Sequence, residues 1–243
     1  MITNGKSRRI AIVSVAAFAV TVGLVSAAGA ASSRSSNLET ASVAIPLAPG
    51  SSAVDEAIRA RHAVHWSVRA NGVATATSNC DGCSASALTM QVVYARYAGK
   101  VTANNVATAW SACSGCRSIA LSFQLIVSRK GTSLTVANRA LALNAACVSC
   151  HTTSAAIQVV TVSPRVRELS ARALARIQST LESQLASGSA PQASTFAAPA
   201  AGPNAVPETL PSELTAKTNQ IQSIVASDLG STSTTHNIQV RTS

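Results

Sequence analysis

The sequence predicts a mainly β fold with helices, an α+β protein in which three CxxC-turn β-hairpin repeats form an antiparallel sheet covered by a C-terminal amphipathic helix. Three observations carry that expectation. Every cysteine lies in one of three CxxC pairs, Cys80/Cys83, Cys113/Cys116 and Cys147/Cys150, whose first members stand 33 and then 34 residues apart, the mark of an internal repeat. The segments after each pair alternate bulky and small residues with the period of a strand. Further on, apolar residues recur every four positions, as they do along one side of a helix.

Alignment on the first cysteine of each pair extends the repeat beyond the cysteines. Asn71, Asn104 and Asn138 stand nine residues before it, Ala87, Ala120 and Ser154 seven after it, and Gln91, Gln124 and Gln158 eleven after it. In the second copy Ile119, Leu121, Phe123, Leu125 and Val127 point one way, and Ser118, Ala120, Ser122 and Gln124 the other. The first copy opposes Leu88, Met90, Val92 and Tyr94 to Ala85, Ala87, Thr89 and Gln91, and the third opposes Ile157 and Val159 to Thr152, Ser154, Ala156 and Gln158. One face is bulky and apolar, the other small and polar.

Before the third pair, Asn138, Ala140, Ala142 and Asn144 alternate with Leu141 and Leu143, which reads as a strand, with a helix capped by Asn138 as the alternative. Asp81-Gly82 and Ser114-Gly115 are good turn formers inside the first two pairs. The simplest unit is a strand, a CxxC turn and a returning strand. Three units make a meander of about six strands across 65–162.

The flanks are read by composition. Lys6, Arg8 and Arg9 precede an apolar run and small residues, so 1–30 is expected to be a signal peptide, with an uncleaved anchor as the alternative. Residues 31–64 read as a spacer with a short helix in "AVDEAIRARHAVHW". An amphipathic helix is expected over 163–185, with Ser163 as cap, Pro164 in the first turn and a stripe of Leu169, Ala173, Ile177, Leu181 and Leu185 facing the sheet. An Ala/Pro linker follows over 186–208. The last part, 209–243, holds a second helix from Pro211 to Leu229, with Ser212 as cap and Gly230 at its end, and a tail that adds an edge strand or frays.

Composition narrows the function. Aromatics make up 3% and charged residues 12% of the chain, so the core is built of small side chains and gains from covalent staples. The net charge is +10, and +7 from residue 31 onward, which favours anionic cell-envelope polymers as partners. The basic residues are scattered in sequence without interleaved aromatics, so no nucleic acid is expected. Membrane contact is expected only if the N-terminal segment is uncleaved.

An even set of cysteines in turns of an exported chain reads as three disulfides, each closed within its own CxxC: Cys80 with Cys83, Cys113 with Cys116, Cys147 with Cys150. Bridges between neighbouring repeats remain the alternative pairing. Zinc held by CxxC knuckles and thiol–disulfide exchange rank below the disulfides. The stretch "CVSCH" also spells a c-type haem attachment signature, but the position after the pair is Ser84, Arg117 and His151 in the three copies, so the histidine occupies a variable slot. The sequence has no HExxH, GxSxG, P-loop or dinucleotide fingerprint and no paired carboxylates. No catalytic residue, cofactor or metal is therefore assigned.

The third copy reads N-x-A-x-A-x-N-x-x-C-x-x-C-x-T-x-x-x-A-x-Q through Asn138, Ala140, Ala142, Asn144, Cys147, Cys150, Thr152, Ala156 and Gln158. This resembles repeats in exported or membrane-attached actinobacterial proteins of uncharacterised function, some joined to peptide zinc metalloproteases. The zinc-bearing membrane part of those relatives is absent here, so protease activity is not carried over. Copies one and two match at Asn71 and Asn104, the cysteine pairs, Ala87, Ala120, Gln91 and Gln124, and depart in the alanine frame before the cysteines. The resemblance implies an exported accessory or surface module.

The expected function is that of a non-enzymatic secreted or surface-associated repeat protein, stabilised by disulfides, with a binding or envelope structural role. Its small Asn/Ala/Thr/Gln face suits packing against another sheet, which points to self-association. The rival is an envelope thiol–disulfide exchange or metal-handling protein, with a c-type haem protein last.

Overall fold

Each repeat is one turn of a coil, not a hairpin. In a computed structural model that describes residues 35–189, 209–230 and 233–243, eight strands precede the helices. They are β1 (Ser35–Ala44), β2 (Ser52–His62), β3 (Ser67–Ser78), β4 (Ser84–Ala95), β5 (Lys100–Ser111), β6 (Arg117–Ser128), β7 (Ser133–Asn144) and β8 (His151–Val162). Odd-numbered strands form sheet A in the order β1-β3-β5-β7, and even-numbered strands form sheet B in the order β2-β4-β6-β8. All these pairings are parallel, each strand lying on its counterpart one repeat away. The result is a β-solenoid-like stack of four rungs.

The expected antiparallel hairpin meander is therefore corrected, and the reason is physical. Parallel stacking at the repeat period sets like on like, so that Gln91 pairs with Gln124 and Gln124 with Gln158. Each buried amide then finds an amide in the next rung, whereas a hairpin would oppose unlike residues. The cysteine corners carry the chain from one sheet to the other, across the ~10 Å that separates stacked sheets, instead of reversing it within a sheet.

The expected spacer and helix in 31–64 are corrected from residue 35 on. β1 and β2 add a cysteine-free rung whose Thr40, Ser42 and Ala44 are buried and continue the small inner face. Its corner, residues 45–51, holds Gly50 at φ 68°, matching Gly82 at 67° and Gly115 at 65° in the cysteine corners. β2 reads as helical because it is charged, but those charges belong to an edge strand, where they guard an open row of backbone groups.

The helices roof sheet B. Both α1 (Ala171–Ser189) and α2 (Thr209–Leu229) bury apolar residues in a cluster with the outward side chains of β4, β6 and β8. Leu169, Ala173, Ile177, Leu181 and Leu185 meet Leu88, Met90, Phe123, Leu125 and Ile157 there, so the expected stripe covers the bulky face. The start of the first helix is corrected. Ser163 carries on the corner, donating its N–H to the Ser128 carbonyl at 2.9 Å, and Ser170 caps α1 instead, accepting from the Ala173 N–H at 3.2 Å. Asp228 fixes that cap by accepting from the Ser170 N–H and hydroxyl, each at 2.7 Å. α2 begins at Thr209, which puts Ser212 inside the helix rather than at its cap, and Gly230 ends it at φ 59°.

The tail forms β9 (Ser233–Thr242), which pairs antiparallel with β8 and closes sheet B. β7 lies against both β8 and β9, so the strands of the two sheets are offset across the interior. The expected Ala/Pro linker over 186–208 is corrected at its start, where 186–189 continue α1, and its remainder to 208 lies, with the expected signal peptide, outside the described residues.

Candidate functional site

Three features compete for a role: the cysteine corners, the interior between the sheets and the outer face of sheet A. In the corners the cysteines are bridged within each CxxC, with Cα–Cα separations of 5.4, 5.9 and 5.9 Å. Successive corners are stitched by backbone hydrogen bonds. Gly50 donates to Asp81 at 2.9 Å, Gly82 to Ser114 at 2.8 Å and Gly115 to Val148 at 2.8 Å. Bridged sulfurs carry no proton, so their close approaches to carbonyl oxygens, such as Cys116 Sγ to Cys80 O at 3.1 Å, are packing contacts.

The three bridges differ in exposure. Cys83, Cys113 and Cys116 are buried, while Cys147 and Cys150 at the end of the stack are partly exposed beside Val148, which is 68% exposed. Ser149 adopts φ 55° where the other two corners use glycine. His151 opens β8 as an exposed residue stacked on Arg117. Among the described residues, no group of three or more His, Cys, Asp or Glu side chains converges.

The interior is held by two amide ladders. Gln124 donates to the Gln91 side-chain oxygen at 2.6 Å and Gln158 to that of Gln124 at 2.6 Å, while Gln124 also reaches across to the Ala70 carbonyl at 3.1 Å. From the opposite sheet, Asn105 donates to the Asn138 side chain at 2.9 Å and to the Ser122 and Ile157 carbonyls at 3.0 and 2.9 Å. Asn138 ends its ladder on the Ala156 and Asn237 carbonyls at 2.7 and 2.9 Å. Each sheet thus sends amides to the backbone of the other. Alanines 74, 76, 85, 87, 107, 109, 120 and 156 fill the space toward the cysteine corners.

The asparagine alignment is corrected by this geometry. Asn71 stacks on Asn104 and both face outward, whereas Asn138 stacks on Asn105 and faces inward. The cause is one extra residue in the third copy, Ala146 at φ 50°, which lengthens the corner and shifts everything before it by one position. By strand register the inward frame of β5 is Asn105, Ala107, Ala109 and Ser111, matching Asn138, Ala140, Ala142 and Asn144. β3 supplies Gly72, Ala74, Ala76 and Ser78 at the same places. The alanine frame is present in all three copies, and the departure in copies one and two came from aligning on the cysteine. The strand residues of the third-copy motif are thus the inner lining of a rung. The spacing of 34 instead of 33 was the available signal.

Among the described residues no helix packs on the outer face of sheet A. Its in-register rows include Val43, Thr75, Thr108 and Leu141, then Thr77, Trp110 and Leu143, with Trp110 44% exposed. Beside them Glu39, Asn71, Asn104 and Arg139 border a shallow depression of about 420 Å³, across which Asn104 donates to Asn71 at 3.1 Å. No family model, curated protein or solved structure matches the chain.

Proposed function

We propose that this chain is a non-enzymatic, disulfide-pinned scaffold of the cell surface or surrounding medium, with a binding or envelope structural role. The observation that carries the reading is the asymmetry of the coil: sheet B is roofed by two helices, while among the described residues no element covers the outer face of sheet A. A rigid sheet whose interior hydrogen bonds are largely satisfied, with no thiol free among its cysteines, suits a platform better than a catalyst. The expected signal peptide and the resemblance of the third copy to exported actinobacterial repeats support an exported setting. No helix among the described residues is long and apolar enough to cross a membrane.

The small face that suggested self-association is consumed inside the chain, where it packs against the other sheet. The surface left for self-association is the outer face of sheet A, which no described element covers. A second reading, thiol–disulfide exchange, is favoured by the partial exposure of Cys147 and Cys150. One experiment separates the two: alkylation of protein purified without reductant, followed by intact mass and metal analysis. All six cysteines blocked and no bound zinc is the expected result, and free thiols or stoichiometric zinc would favour the rival.

A further inference from the structure

We propose that the corner opposite the cysteines is a docking surface for a linear polyol-phosphate polymer of the cell envelope. This deepens the binding role proposed above and rests on it. Basic residues that look scattered along the sequence are gathered there by the repeat. Arg96 and Arg129 directly follow Ala95 and Ser128, which are in register in β4 and β6, so the two arginines leave neighbouring rungs that lie ~4.8 Å apart. The chain leaving β8 continues the same corner and brings Arg165 and Arg167 beside them. All four arginines line one depression of about 580 Å³, together with His62, Tyr97 and Glu168.

The charge in this depression is poorly compensated. Its one carboxylate, Glu168, lies 2.8 Å from His62 Nε2, and Arg167 donates to the backbone carbonyl of Asp228. Among the described residues no ion pair joins Arg96, Arg129 or Arg165 to a carboxylate. Like charges stacked on adjacent strands repel, and a chain of phosphates lying along the coil axis relieves that repulsion between the rungs of Arg96 and Arg129. Guanidinium forks match phosphate oxygens two at a time, which favours phosphate over a diffuse counter-ion cloud.

The aromatics argue against nucleic acid. Trp66 is 63% exposed, but its ring rests on Gly99, where an added Cβ would clash with it, and Tyr97 has the Arg96 guanidinium 5.5 Å from its ring centre. Neither ring is free on both faces to stack successive bases. A row of charge along an axis also fits a linear polyanion better than a flat bilayer.

The test uses the full oxidised chain and a synthetic poly(glycerol phosphate) oligomer, with oligothymidylate and phosphatidylglycerol vesicles as comparison arms. Binding to the oligomer is expected, weakening as salt rises from about 50 to about 200 mM. The double variant R96E/R129E is expected to lose at least about tenfold in affinity, while R139E, on the open face of sheet A, stays within about twofold. Both variants change exposed side chains, and circular dichroism checks that they fold. The proposal is overturned by equal binding in R96E/R129E, by no binding to the oligomer, or by tighter binding to oligothymidylate or vesicles. If the oligomer fails to bind while the six cysteines remain blocked and metal-free, the docking surface falls and the scaffold reading stands.

Discussion

Sheets A and B share strand length, repeat and inner lining, and differ in what they turn outward. β6 presents Ile119, Leu121, Phe123, Leu125 and Val127, all buried beneath the helices, while β5 presents Thr102, Asn104, Val106, Thr108 and Trp110 with no roof among the described residues. Both strands obey the same alternation. The difference teaches that in this coil the inward residues set the fold, while the outward residues decide whether a surface is sealed or offered. Large aliphatic and aromatic side chains require a cover, at roughly 1.5–3 kcal/mol for each one fully buried.

The sharpest way to break this comparison is a pair of truncations. Phe123→Ala, beneath α1, is expected to cost about 3–5 kcal/mol in urea unfolding, and Trp110→Ala, on the open face, less than about 1 kcal/mol. Equal losses would mean that sheet A is covered in solution. A smaller effect is expected from the lining common to both sheets. Gln124→Leu keeps the volume but strands the Gln91 side-chain oxygen and removes the bonds to Ala70 and Gln158, at about 2–3 kcal/mol. Thermal melting that left this variant at the wild-type midpoint would show that the amide ladder is not a source of stability.

The smallest effect concerns the rim of the roof. Partial burial, then the nearby Glu182 and Asp55 carboxylates, raise the Glu56 carboxyl above its ordinary range. A raised acid favours the folded state below its unfolded pKa, and that contribution is lost as pH rises through the folded value. Glu56→Gln is therefore expected to raise the melting temperature slightly at pH 7 and leave it unchanged near pH 4. A gain of the same size at both pH values would point to a cause other than charge.

Much of this was legible in the sequence. The presence of about six strands across 65–162, the two faces of the strands after each cysteine pair, the cysteine pairs closed within each CxxC and the stripe of α1 follow from local periodicity and spacing. Strand partnership does not, because alternation looks the same in a hairpin and in a coil. The matched glutamines held the answer, since a column of like residues one repeat apart forms when the strands run parallel at the repeat period. The first rung escaped notice because it lacks cysteines, although Thr40, Ser42 and Ala44 repeat the inward pattern. The basic corner was hidden for a related reason: residues 33 apart in sequence are neighbours only once the coil is formed.

The placement of the bridges has a mechanical consequence. Each joins two cysteines of a single corner, so no covalent bond other than the main chain links one rung to the next. Pulled from its ends, the oxidised protein would come apart rung by rung, each rung paying out roughly 110 Å of chain and each bridge withholding only the few residues inside its own corner. Resistance to such a pull rests on hydrogen bonds between rungs and on the helical roof. Reduction would change the give of the corners far more than the length of the extended chain.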